Sequence, residues 1–410
     1  MTDALAVLAD ASSGQRKMRR KILITGTTGW LGKELATQLA ANNSNDECEI
    51  YGLARRSTSI PNVHSLQADI TSESSLHSAL SAHDDFDVIV HLAGAAGWCT
   101  LQQGLEVNVN GTRNVIAATR NPKKRQRYVI ASSVAVTGSC APDHPPRRLP
   151  VRNEDGFVGS DWAYGLSKHM VEEVVKFISG SEKEGIGSEA HVKADYLLLR
   201  IGGVVTDPPL PLRHLETAIG ETQIIEPADR TDGPPQWATF PEFPLAAIAL
   251  SDILRCLTLA IDPSAEYKPG VRTVTAVGPS VFSLRPVVDV MTWYGTNKAG
   301  EIDMEYHRMP GNEYKPIYDT EAAERELGFV AKIDFRTLLF VEKMEEMMGV
   351  NSGPLQSLYR RVVCDQGGGD GNTSPARVGN DELEEMAGDT STRKSGKTKK
   401  EDKKRRKIED

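Results

Sequence analysis

The stretch Thr25–Gly32, "TGTTGWLG", puts three glycines into eight residues between an apolar run, "KILI", and a helix-like run, "KELATQLA". The spacing, Gly26–x–x–Gly29–x–x–Gly32, is weak on its own because such patterns recur by chance. Its position between a predicted strand and a predicted helix strengthens it. Glycines permit a tight turn and let backbone N–H groups approach a pyrophosphate. A helix starting near Trp30 would turn its positive end towards that charge. The alternative is a turn with no ligand, and the rest of the chain decides between the two.

Downstream the pattern alternates. "KILIT", "CEIYGLAR", "FDVIVHLAG", "RYVIASSVAV" and "ADYLLLRIGGVV" read as strands. Between them "LGKELATQLAANN", "SESSLHSALSA" with Ser72 as its cap, "VNVNGTRNVIAATRN" and "YGLSKHMVEEVVKFISG" read as helices. Strands alternating with helices predict an α/β fold with a doubly wound parallel sheet. After Thr206 a proline-rich stretch interrupts the rhythm. "LAAIALSDILRCLTLAI" then reads as a helix, "VRTVTAVG" as a strand and "DTEAAERELGF" as a helix. The expected organisation is a flexible segment over 1–20, a nucleotide-binding domain over 21–205 and a smaller substrate lobe over 206–350. A disordered tail is expected over 365–410, where apolar residues nearly vanish.

Bulk properties narrow the function. Of 410 residues, 39% are hydrophobic and 25% charged, and the net charge is −8. The last eighteen, "RKSGKTKKEDKKRRKIED", hold ten Lys/Arg and four Asp/Glu, a net of +6, which leaves −14 on the rest. An acidic body argues against a nucleic-acid-binding face on the folded part. The tail's basic cluster, Lys399–Lys407, fits a nuclear-import signal or simply a solubilising end. No apolar run reaches the roughly 20 residues of a membrane span, and no basic segment opens a secretory leader. The five cysteines, Cys48, Cys99, Cys140, Cys256 and Cys364, are scattered. That favours reduced thiols, a cytoplasmic setting and no metal site.

The second strand ends "GLARRS", with Arg55 and Arg56 where an acidic residue would bind the ribose 2′-OH of NAD. Guanidinium groups suit a 2′-phosphate, so the expected cofactor is NADP rather than NAD. "YGLSK" sets Tyr164 and Lys168 four residues apart, on one helix face. A tyrosine with an ordinary pKa of about 10 is a poor base, but a neighbouring ammonium stabilises its phenolate. Ser132 and Ser133 end the strand that precedes that helix, at the sheet edge where ligands bind, and a hydroxyl there can hold a substrate oxygen.

TGxxGxxG, "HLAG", "NVNGT", "ASSVAV" and YxxxK, in that order, resemble the extended short-chain dehydrogenase/reductase family, the NAD-dependent epimerase/dehydratases. The resemblance covers about Lys21 to Gly349 and is densest before residue 205. It implies a Rossmann-type fold, with Tyr164 as acid/base and Lys168 as its partner on the nicotinamide ribose. Ser133 matches the substrate-orienting serine, with Ser132 as its rival, and Asn108 matches the asparagine that supports the proton relay. Gly26, Thr28, Gly29, Trp30, Leu31 and Gly32 would hold the pyrophosphate. Asp69 and Ile70 would flank the adenine, and Ala93 and Gly94 would line the cofactor. A homodimer through the "NVNGT" and "YGLSK" helices follows by analogy.

The chain departs from many sugar-modifying members at Thr137, where they have tyrosine, and at Val205–Asp207. The expected activity is therefore an NADP-dependent interconversion of a secondary alcohol and a ketone. The alternatives are an epimerase or dehydratase of a sugar-like substrate, or a non-catalytic NADP sensor. Of the remaining residues, His91 reads as a packed neighbour, and Trp98 and Cys99 as candidates to face the substrate. Arg200 could reach a substrate or a carboxylate partner, Glu172 and Glu173 form a solvated helix face, and Asp252 is structural.

Overall fold

The computed structural model describes residues 19–43, 47–83, 85–97, 99–138, 144–160, 162–182, 191–207, 245–283, 286–294 and 302–337. The N-terminal segment, the proline-rich part of the expected lobe and the tail from Asp365 lie outside the described residues, as does Trp98.

Strand β1 (Arg20–Thr25) lies in the interior of the sheet. β2 (Cys48–Ala54) and β3 (His64–Gln67) lie on one side of it, and β4 (Val88–His91), β5 (Arg127–Ser133) and β6 (Asp195–Ile201) on the other. A seventh strand, Gly270–Ala276, pairs with β6, and every pairing in this sheet is parallel. Because both faces are covered, the inner strands are continuous apolar runs, and alternate residues enter different cores. Ile22 and Ile24 join the core under helix α1 (Trp30–Asn42), while Leu23 joins the opposite one. The order β3-β2-β1-β4-β5-β6 reverses at β1, between β2 and β4. In sheets of this Rossmann type, that reversal opens a crevice at the carboxyl ends of the strands.

Helix α2 (Glu73–Leu80) is capped as expected, with Ser72 Oγ accepting the Ser75 N–H at 3.2 Å. The "NVNGT" region is helical but irregular. A short α3 (Leu101–Gln103) runs into a π-helical segment, Gly104–Asn110, before α4 (Gly111–Thr119). Helix α5 (Ala163–Ser181) carries the YxxxK pair.

The structure corrects four local readings. "HSLQ" is a strand, which its largely exposed and mostly polar residues concealed; only its pairing with β2 defines it. β5 stops at Ser133, and "VAVT" forms a 3₁₀ turn closed by Gly138 at φ 72°. "ADYLLLRIGGVV" is two strands, because Gly202 breaks away into β7 (Gly203–Val205). A Cβ on Gly202 would lie 2.0 Å from the Ala246 carbonyl oxygen, so only glycine admits that approach. The start of the predicted helix over Leu245–Ile261 is β8 (Ala247–Ala249), which pairs with β7. The helix itself, α6 (Leu250–Ile261), begins at Leu250 and packs Ile253 and Leu257 into the α1 core. Each such fully buried side chain contributes about 1.5–3 kcal/mol.

Candidate active site

The glycine loop is built for close approach. Gly26 has φ +80°, and a Cβ there would meet the Ala93 backbone nitrogen at 2.8 Å. A Cβ on Gly32 would sit 2.4 Å from the Gly26 carbonyl oxygen, so this glycine seats α1 against the loop. Gly29 is the N-cap of α1 and has no side chain to compete for the helix's amino-terminal N–H groups. Above the loop opens a cleft of about 770 Å³.

The cleft brings together Gly26, Thr28, Gly29, Arg55, Arg56, Asp69, Ile70, Ala93 and Gly94. Trp30, Leu31 and Gly32 are not among its lining residues, and Trp30 is 45% exposed. Arg55 and Arg56 are exposed at its mouth. The Asp69 carboxyl is held below its ordinary value, first by the Thr71 N–H and also by the Thr71 hydroxyl and Arg55. A dinucleotide fits these residues. The glycines pack the loop closely on its own backbone and leave it free of side chains at the cleft, and two cations stand at the end of β2.

The wall after β4 is fixed by a chain of hydrogen bonds whose direction is forced. Thr112 Oγ1 has one hydrogen and donates it to the Asn108 carbonyl at 2.6 Å. It therefore accepts from His91 Nε2 at 3.1 Å, which leaves Nδ1 to accept from Thr25 Oγ1 at 2.8 Å. Thr25 Oγ1 in turn accepts the Ala93 N–H at 3.1 Å. His91 is thus a neutral, packed link, and burial, assisted by Lys168, pushes its pKa down to about 3.

Asn108 extends the same frame. Its Oδ1 accepts the Ala95 N–H at 2.7 Å, and its Nδ2 donates to Ser167 Oγ at 2.9 Å. Ser167 Oγ donates to the Tyr164 carbonyl at 2.8 Å, which ties the cleft wall to α5. Asn108 lies within the π segment, whose extra residue per turn alters the aim of its side chains.

On α5, Lys168 Nζ donates to the Ala131 carbonyl at 2.7 Å and stands 5.8 Å from the centroid of the Tyr164 ring. A Cβ on Gly94, in the cleft wall, would lie 3.7 Å from that nitrogen. Burial pulls the Lys168 ammonium down to about 8, with Cys99 and Glu172 pulling partly back. Cys99 lines the cleft, and burial raises its thiol. Trp162 braces the site from above. Its indole N–H donates to the Gly97 carbonyl, and its ring lies 5.0 Å from that of Tyr164.

The two serines separate. Ser132 Oγ is committed to Glu172, donating to Oε1 at 2.6 Å, whereas Ser133 Oγ accepts the Ala135 N–H at 3.2 Å and keeps its own proton available. The expectation that Glu172 is solvated is corrected. It is 1% exposed and paired with Arg200, with Nη2 to Oε2 at 2.8 Å and Nε to Oε1 at 2.9 Å. The signal was its position four residues beyond Lys168, which puts it on the same buried face. Glu173 faces solvent and pairs with Lys176. Asp252 is structural and accepts the Lys332 and Ile333 N–H groups, each at 2.8 Å. Among the described residues there is no cluster of metal-ligating side chains and no helix long and apolar enough to cross a membrane.

Residues 22–184 match the sequence model of the NAD dependent epimerase/dehydratase family. Over that stretch the chain is similar to this family. A UDP-N-acetyl-alpha-D-glucosaminuronate decarboxylase of Bacillus cytotoxicus is 26% identical over 176 residues, 38% of this chain and 49% of that one. A D-erythronate dehydrogenase of Haemophilus influenzae is 28% identical over 159 residues, 37% of this chain and 48% of that one. This chain therefore spans about half the length of these two relatives. Among solved structures, the Bordetella bronchiseptica enzyme WbmG, in complex with NAD and UDP, matches with a TM-score of 0.50 at 18% identity. That match covers 82% of this chain and 97% of the other, and at this identity it is a likeness of fold. The matched stretch runs through the whole of α5 and includes the glycine loop, Asn108, both serines, Tyr164 and Lys168.

Proposed function

We propose that this epimerase/dehydratase-family protein is an NADP-dependent oxidoreductase that interconverts a secondary alcohol and a ketone. The observation that carries the reading is the buried Lys168 ammonium, 5.8 Å from the Tyr164 ring centroid and hydrogen-bonded to the Ala131 carbonyl at 2.7 Å, beside the cleft wall at Gly94. When bound, the nicotinamide supplies or accepts the hydride. Tyr164 gives the proton to the developing alkoxide, or takes it in the reverse direction. Lys168 favours the ionised phenol and hydrogen-bonds the ribose. Ser133 orients the substrate oxygen, and Asn108 keeps the cleft wall and α5 in register. Gly26, Thr28 and Gly29 hold the pyrophosphate, while Asp69 and Ile70 flank the adenine.

Support for NADP comes from Arg55 and Arg56, two cations at the cleft mouth with no acidic residue at the end of β2. A charge-assisted pair with a 2′-phosphate is worth more than a neutral contact. The test is consumption of NADPH with a panel of ketones, run beside Tyr164→Phe. Net turnover that disappears in the variant is the expected result. Tight NADPH binding with no net turnover on any ketone would instead support an epimerase or a sensor.

A further inference from the structure

Helix α5 is pinned to β5 by two successive turns. Lys168 bonds the Ala131 carbonyl at 2.7 Å, and Glu172, one turn on, accepts from Ser132 Oγ at 2.6 Å. The carboxylate is also held by Arg200, which reaches it from β6 with both Nε and Nη2. Arg200 Nη1 donates onward to the Asn153 carbonyl at 3.3 Å. Asn153 is fixed to the seventh strand, accepting from Thr275 Oγ1 at 2.8 Å and donating to the Thr273 carbonyl at 3.1 Å. One buried cluster thus connects α5, β5, β6, the last strand and the loop that leads to Tyr164. An apolar core would close this region at lower desolvation cost, because burying an ion pair returns little net stability. The cluster's position next to the reacting groups gives it another use.

We propose that Ser132, Glu172 and Arg200 form a positioning device that holds Lys168 against β5 with an anchored carboxylate one helical turn away. The groups facing Lys168 are His91 from β4, Cys99 from the following loop, and Tyr164 and Glu172 from α5, with Arg200 behind Glu172. Of these, Glu172 is the anion that both favours the ammonium and is fixed in place by two partners. Without it, burial and the remaining Arg200 charge act on Lys168 in the same direction, towards the neutral amine.

The inference rests on the reading of Lys168 as the cofactor-binding and relay lysine, so the experiment reads the lysine itself. The full chain is labelled with trace acetic anhydride as pH is stepped, and acetylation of Lys168 is followed by peptide mass spectrometry. Glu172→Gln keeps the side chain's shape and removes its charge. We expect the proton affinity of Lys168 to fall about tenfold. Glu172→Gln combined with Arg200→Met removes both charges, and its midpoint should lie between wild type and the single variant. An unchanged or raised midpoint in Glu172→Gln would overturn the proposal. If that variant does not fold, as judged by circular dichroism, a double-variant midpoint at or above wild type would do so. NADPH titration of Lys168→Met tests the underlying reading separately, since unchanged affinity there would sink the role of Lys168 and leave the labelling result standing.

Discussion

The two ends of the sheet both bury charge, and they do it differently. At the amino ends of the strands, Asp195 opens β6 and is fully buried between two guanidinium groups, Arg127 Nε at 2.9 Å and Arg272 Nη2 at 2.6 Å. Arg272 and Lys268 share Glu326 at 3.3 and 2.9 Å, and Arg127 Nη1 donates to the Ala260 carbonyl at 3.2 Å. At the carboxyl ends, among the described residues no carboxylate lies within ion-pair distance of Lys168, which bonds a backbone carbonyl and sits beside a cleft. A saturated cluster resists change, because every charge has a counter-charge in contact. An incompletely neutralised cation is poised to interact with something that arrives. On the proposed function, the first arrangement serves stability and the second chemistry.

Substitutions can break that contrast. Tyr164→Phe should reduce turnover by about 10²–10⁴-fold while leaving NADPH affinity and the melting temperature near wild type. Steady-state kinetics with calorimetry measures this, and near-normal kcat would remove Tyr164 from the relay. At the other edge, Asp195→Ala strands the buried Arg127 guanidinium and takes one of two carboxylates from Arg272, and should cost about 3–5 kcal/mol in urea unfolding. A loss below about 1 kcal/mol would mean that the amino-edge cluster is not the structural lock described. Arg55→Ala combined with Arg56→Ala should weaken NADPH by about 1.5–3 kcal/mol and leave NADH nearly unchanged. Equal losses for both cofactors would place the arginines away from the 2′-phosphate.

The smallest effect concerns pH. Lys168 has a folded pKa of about 8, below its unfolded value of about 10.4. Between those values the unfolded chain binds more protons, so stability gains from this residue as pH rises. Between pH of about 7.5 and about 9 the gain is about 1 kcal/mol, and it should vanish in Lys168→Met. Parallel stability curves for the two proteins would show that Lys168 is not desolvated.

How much was legible in the sequence depended on how far apart the interacting residues lie along the chain. Thr25–Gly32 announced strand, tight turn and helix because Gly26 and Gly32 answer to local geometry, and the Tyr164–Lys168 pair lies on one helical turn. Ser72 was readable as a cap for the same reason. β3 was not, since "HSLQ" has no apolar alternation and is a strand only because β2 pairs with it. Nor was β8, whose buried "AIA" continues without punctuation into the apolar face of α6.

By itself the sequence determined the alternating strands and helices, the glycine cradle, the cations after β2 and the candidates for proton transfer. These rest on periodicity, backbone sterics and residue chemistry within a few positions. Tertiary structure alone decided which serine is available, because Glu172 captures Ser132 across 40 residues of chain. It turned Glu172 from an apparent surface acid into a buried partner of Arg200, 28 residues away. It also fixed His91 as a neutral link, through hydroxyls on β1 and α4. The physical reason is the same in each case. Desolvation and hydrogen-bond saturation depend on which distant groups are brought within about 3 Å, and no local pattern encodes that.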